Sequence, residues 1–143
     1  RQRQMCIRDR YAGVAALAGP QDHVAAMREE YRAKRQIVLD GLAGCPVLRL
    51  IEPQGAFYAF VDVRLTGLDS GEFADRLLDE EHVAVVPGEA FGEEGRGFVR
   101  LSYAGDAGEL REGVARLRAF AERVWNPITG HHTATYHPME VLA

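Results

Sequence analysis

The sequence predicts an α+β domain, a small mixed sheet covered by helices. Three observations predict it. Apolar residues recur at helical spacing in three separate segments. The stretches between them are β-branched or aromatic and too short for stable helices. The order along the chain is helix, strands, helix, strands, helix. At 143 residues the chain is long enough for one domain with a real core.

Residues 1–10, RQRQMCIRDR, are polar, aperiodic and uncapped, and they lack the apolar core of a signal peptide. Met5 to Arg10 also resembles the in-frame translation of a transposon-end sequencing adapter. The segment is read as an artefact or a disordered arm and set aside, and Cys6 with it. Residues 11–18 are Ala-rich and read as the end of a helix, broken at Gly19-Pro20. From 21 to 43, Val24, Met27, Tyr31, Val38 and Leu42 fall at helical spacing, with a polar gap at Lys34-Arg35. Gly44 is a natural stop and Pro46 prevents continuation.

Residues 47–50 form a first short strand, followed by a turn at 52–55 with Gly55 supplying backbone freedom. Residues 56–63, the most apolar run, read as the central strand. Ser70 can cap a helix over 71–81 that puts Phe73, Ala74, Leu77 and Leu78 on one face. Val83 to Val86 is a β-branched run closed by Pro87-Gly88. Phe98 to Tyr103 alternates, with Phe98, Arg100 and Ser102 on one side and Val99, Leu101 and Tyr103 on the other. Asp106 and Glu109 have capping-box spacing. Leu110, Val114, Leu117, Ala121 and Val124 then step down a last helix ending at Trp125. The expected organisation is therefore 1–10 outside the fold, one domain over 11–125, and a loose tail over 126–143.

Composition excludes several functions. A net charge of −4, with no face gathering the arginines, argues against nucleic acid. No apolar run approaches the roughly 20 residues of a membrane span. Two cysteines, Cys6 and Cys45, make no disulfide framework, so a cytoplasmic location is expected. His131, His132 and His137 lack a scaffold and a ligand-spaced Cys or carboxylate, so no metal site is expected. Gly92, Gly95 and Gly97 do not form a dinucleotide fingerprint. Glu89, Glu93 and Glu94 read as a polar loop, Ser102 has no nucleophile-elbow context, and Tyr58 reads as core.

Arg100 stands out. A guanidinium in the middle of an apolar strand is costly to desolvate unless an anion meets it. It is either an outward residue on a half-solvated sheet or a carboxylate receptor, since its planar fork matches a carboxylate with two parallel hydrogen bonds. Spacing alone leaves both open.

Three motifs then bear on Arg100. Pro53-Gln54-Gly55-Ala56-Phe57-Tyr58, Val83-Ala84-Val85-Val86-Pro87-Gly88-Glu89-Ala90-Phe91-Gly92 and Val99-Arg100-Leu101-Ser102-Tyr103-Ala104 occur in this order. Together they resemble the C-terminal part of class I/II aminotransferases, the fold-type I pyridoxal-phosphate enzymes of the aspartate aminotransferase family. The resemblance runs from about Tyr11 to Trp125. It implies that Arg100 grips the substrate α-carboxylate and orients the Cα–H bond relative to the cofactor ring. It implies that the 85–92 loop borders the cleft and moves on closure. It also implies pyridoxal phosphate as cofactor, amino acids and 2-oxo acids as substrates, and a homodimeric complete enzyme.

The family needs a Schiff-base lysine, and Lys34 is the only lysine here. It lies in the first long helix, with no Ser/Thr-rich phosphate cradle, and reads as a surface residue. The expectation is thus a transaminase small domain: no catalytic or cofactor-binding residue in this chain, Arg100 as its substrate-binding residue, and no turnover alone. A lyase, decarboxylase or amino-ketone synthase with the same small domain is an alternative, as is a non-catalytic α+β binding domain.

Overall fold

A computed structural model describes residues 2–125, and side chains from Ile7 onward. The tail histidines His131, His132 and His137 lie outside the described residues. The chain divides into two compact units, residues 1–33 and 34–143.

The first unit holds helix α1 (Gln2–Ala18) and the first part of helix α2 (Asp22–Leu42). Residues 2–10, expected to lie outside the fold, are helical. Periodicity gave no sign of this, and Ile7, Tyr11, Val14 and Leu17 along α1 are all exposed. Gly19 N donates to the Ala15 carbonyl (3.0 Å), and Gln21 Nε2 donates to the carbonyls of Ala16 (2.8 Å) and Gly19 (3.0 Å), closing the turn into α2.

The second unit is built on four strands: β1 (Arg49–Ile51), β2 (Tyr58–Asp62), β3 (Val86–Pro87) and β4 (Phe98–Ser102). Their order is β1-β2-β4-β3 and every pairing is antiparallel, so the sheet is α+β in character but not mixed. Residues 88–97 return the chain beside β3, which makes that pair antiparallel as well.

Period-2 alternation sorts the two faces. Ala59, Val61, Val99 and Leu101 are buried. They meet Phe73, Ala74 and Leu77 of helix α3 (Ser70–Glu81), Val114, Leu117, Phe120 and Ala121 of helix α4 (Ala107–Val124), and Val38 and Leu42 of α2. Phe73 and Phe120 pack edge to face at 5.1 Å. Leu78, expected on the buried face of α3, is exposed, whereas Phe120 belongs to the core.

Caps fix the helix starts. Asp69, not Ser70, caps α3 by accepting from Glu72 N (2.8 Å). Asp106 caps α4, accepting from Gly108 N (2.7 Å) and Glu109 N (3.1 Å). Those amides, Glu109 first, hold the Asp106 carboxyl below its usual range.

Two further expectations shift. The β-branched run pairs only at Val86–Pro87. Before Val86, a cavity of about 210 Å³, lined by Val83, Val85, Leu101, Ser102 and Leu110 among others, separates the chain from the end of β4. Lys34, read as a surface residue, is buried at 8 % exposure.

Candidate functional site

The other face of the sheet is left open within residues 34–125. Register lines up Ile51, Phe60, Arg100 and Val86 side by side across β1, β2, β4 and β3. Ile51 is 46 % exposed and Val86 36 %, so no helix of this unit covers them. Arg100 stands in the middle of this row, half-buried, on the central strand β4.

Its guanidinium is held by rings. Arg100 Cζ lies 4.2 Å from the centroid of Tyr58 and 4.0 Å from that of Phe91. Tyr58 belongs to β2 and Phe91 to the short 3-10 turn Gly88–Phe91 that follows β3, so the rings approach from opposite sides of β4. Phe91 leans edge-on against Phe60 at 6.0 Å. Among the described residues, Arg100 has no carboxylate partner and no side-chain hydrogen bond. A half-buried guanidinium with unpaired N–H donors can receive an anion, because its donors form a planar fork that matches a carboxylate.

Neighbouring elements fix this geometry. Tyr103, fully buried behind β4, donates its hydroxyl to the Ala56 carbonyl (3.1 Å) and its backbone N–H to the Phe57 carbonyl (2.9 Å). Burial pushes its hydroxyl pKa up. Arg35 of α2 donates Nε to the Pro53 carbonyl (2.6 Å) and pairs with Glu52 (2.5 Å). Together they clamp the turn that delivers Tyr58. The left-handed residue in that turn is Ala56 (φ 57°) rather than Gly55.

The loop that carries Phe91 is clamped as well. The Ser70 hydroxyl donates to Glu89 Oε1 and accepts from Gly97 N (3.3 Å). The Ser70 hydroxyl first, then the N–H groups near the carboxylate, hold the Glu89 carboxyl below the usual glutamate range. Gly88 and Gly95 approach so closely that a Cβ on Gly88 would lie 2.1 Å from the Gly95 carbonyl oxygen.

The structure therefore brings Arg100 together with Tyr58, which the sequence reading placed in the core, and with Phe91, which it gave no role of its own within the 85–92 loop. The available signal was register: Tyr58 and Phe60 alternate onto the face that Arg100 occupies. Glu93 and Glu94 stay in the exposed loop, Glu93 pairing with Arg96 (2.8 Å). Ser102 is exposed at the strand end. Lys34 is buried in α2, where its charge reaches the Asp106 carboxylate. Among the described residues no group of three His, Cys, Asp or Glu side chains could hold a metal ion, and no helix is long and apolar enough to cross a membrane.

Known proteins resemble this chain in sequence and fold. A family profile, aminotransferase class I and II, matches residues 9–117. An arginine–pyruvate transaminase of Pseudomonas aeruginosa is 44 % identical over 106 residues, covering 74 % of this chain and 27 % of that protein. An aromatic aminotransferase from Pyrococcus horikoshii has a similar structure, with a TM-score of 0.74 and 40 % identity over 79 % of this chain and 30 % of that one. An aspartate aminotransferase from Thermus thermophilus, solved with maleate, matches at a TM-score of 0.63 and 38 % identity over 70 % of this chain and 25 % of that one. The chain thus spans under a third of the length of these relatives. It belongs to the class I and II aminotransferases.

Proposed function

We propose that this chain is the small domain of a pyridoxal-phosphate-dependent aminotransferase, which moves an amino group from an amino acid to a 2-oxo acid, and that Arg100 receives the α-carboxylate of both substrates. The observation that carries this reading is the unpaired edge of Arg100, offered between two rings on an open sheet face. The relative solved with maleate supports it, since maleate is a dicarboxylate. A two-point grip fixes both the position and the rotation of a carboxylate, so the rest of the substrate is oriented by one residue.

The residues described here do not fit the cofactor. Covalent attachment needs an amine open to an aldehyde, and the single lysine, Lys34, is buried in α2 among groups of its own domain. In this proposal the cofactor and its lysine lie outside these residues, facing the open side of the sheet. A homodimer and a cytoplasmic location, the latter in keeping with the free thiol of Cys45, complete the reading.

The test is Arg100→Lys in the aminotransferase that carries this chain. An ammonium keeps the charge but loses the fork, so kcat/KM falls about 10- to 100-fold. An unchanged kcat/KM removes Arg100 from the substrate site.

A further inference from the structure

Resting on Arg100 as the carboxylate receptor, we propose that Phe91 and Tyr58 are positioning residues for it. Their rings hold the guanidinium so that only its in-plane N–H groups face the substrate, and Glu89 seats Phe91 for that task.

The argument begins with what an arginine on an open sheet would otherwise do. Its side chain has several rotatable bonds, and an unpaired guanidinium swings through water. Here a ring approaches from either side of β4, with Cζ 4.0 Å from the Phe91 centroid and 4.2 Å from the Tyr58 centroid. Both distances fall within the range of cation–π attraction, which favours the ring face and leaves the edge donors unused. An aromatic ring has no acceptor strong enough to compete with a carboxylate. The two rings restrict the guanidinium without occupying its hydrogen-bonding capacity.

Phe91 is not a core residue that happens to lie nearby. It is 49 % exposed, and its ring contacts are Arg100 and the edge of Phe60. The loop beneath it is nevertheless tightly fixed. Glu89 turns inward to the buried Ser70 hydroxyl at the start of α3, while Phe91, two residues on, turns outward over Arg100. The close approach of Gly88 and Gly95 sets the loop's depth. The inward carboxylate and the outward ring are two ends of one short 3-10 turn, so holding one locates the other.

Four variants of the aminotransferase that carries this chain test the proposal: Phe91→Leu, Phe91→Trp, Tyr58→Leu and Arg100→Lys, assayed with pyruvate as the 2-oxo acid. Phe91→Leu keeps an apolar side chain but removes the ring. It raises the KM for pyruvate about fivefold and leaves kcat within twofold, and Tyr58→Leu does the same. Phe91→Trp restores the wild-type KM, because it restores a ring face. A merely packing role predicts the reverse, with Leu tolerated and the bulkier Trp harmful. An NMR spectrum of the same aminotransferase adds a direct readout. The Arg100 Nε–H resonance is shifted by ring currents in the wild type and moves toward the ordinary arginine position in Phe91→Leu. Unchanged KM and resonance in Phe91→Leu, with Arg100→Lys still impaired, overturn the clamp alone. An unimpaired Arg100→Lys overturns the carboxylate reading and the clamp with it.

Discussion

Two guanidiniums share the open face of this sheet, and their surroundings differ in one respect. Arg64 lies over the Phe98 ring at 5.1 Å and Arg100 lies between Tyr58 and Phe91. Both are therefore held by aromatic faces. Arg64 also meets Asp62, giving Nε to Oδ1 at 2.9 Å and Nη2 to Oδ2 at 2.6 Å. That bidentate pair is the contact a substrate carboxylate would make, already filled from within the chain. Arg100 has the rings without the acid. Arg64 takes its acid from Asp62, two residues back along the chain, whereas Arg100 has Phe60 as its cross-strand partner and, among the described residues, no acid beside it.

The largest stability effect should come from breaking the filled pair. Asp62 is 9 % exposed and also accepts from the backbone N–H of Arg64 at 3.0 Å. Asp62→Ala removes an acceptor from three donors at once and should lower folding stability by about 2 kcal/mol in urea unfolding. Arg100→Ala should change stability by about 1 kcal/mol or less, since only ring contacts are lost. Equal losses in the two variants would mean that Arg100 is as structural as Arg64.

The same contrast explains what the sequence made legible. Arg100 was visible because a charge interrupts an alternating apolar strand, and the resemblance carried by three motifs in order implied a role for it. The faces of α3 and α4 were visible through Phe73, Leu77, Val114 and Leu117, because helical period reports burial directly. The rings around Arg100 were not visible, because they depend on which residues register places side by side. Tyr58 reads as core in an apolar run and is half-exposed beside Arg100. Asp69 and Ser70 are both good caps, and local preference cannot choose between them. The choice follows from Glu89, nineteen residues on, which takes the Ser70 hydroxyl and leaves the cap to Asp69. Lys34-Arg35 looked like a solvated gap in α2. In the structure Arg35 ties down the turn at 52–53, a partner that helical spacing does not encode.

A smaller effect lies in pH, and it separates the loop that serves Arg100 from the pair that serves Arg64. The Glu89 carboxyl is held below its ordinary value of 4.5 by the Ser70 hydroxyl first, with nearby backbone N–H groups and Arg96 adding to it. A depressed carboxylate pKa stabilises the fold above the unfolded value, and that contribution fades as pH falls through the folded value. Wild type should therefore exceed Glu89→Gln in stability by a constant margin above pH 5, and the margin should shrink below about pH 4.5. Matched urea unfolding at several pH values checks it. A margin that stays flat down to pH 3 would mean that ionised Glu89 does not hold the loop.

The smallest effect concerns the turn that delivers Tyr58. Ala56 sits at φ 57°, a left-handed conformation that crowds its Cβ against the following carbonyl. Two contacts hold it there: the Tyr103 hydroxyl on its carbonyl and the Arg35 clamp on Pro53 just upstream. Ala56→Gly removes the crowding while loosening the unfolded chain, and the balance should favour the folded state by about 0.5–1 kcal/mol. The turn keeps its shape in either case, so Tyr58 stays over Arg100 and KM should not move. A gain in stability with unchanged KM would mean that the strain at Ala56 is incidental to the site. A gain in stability with a higher KM would mean that the strained turn presses Tyr58 onto the guanidinium, and that the ring clamp depends on backbone tension as well as on register.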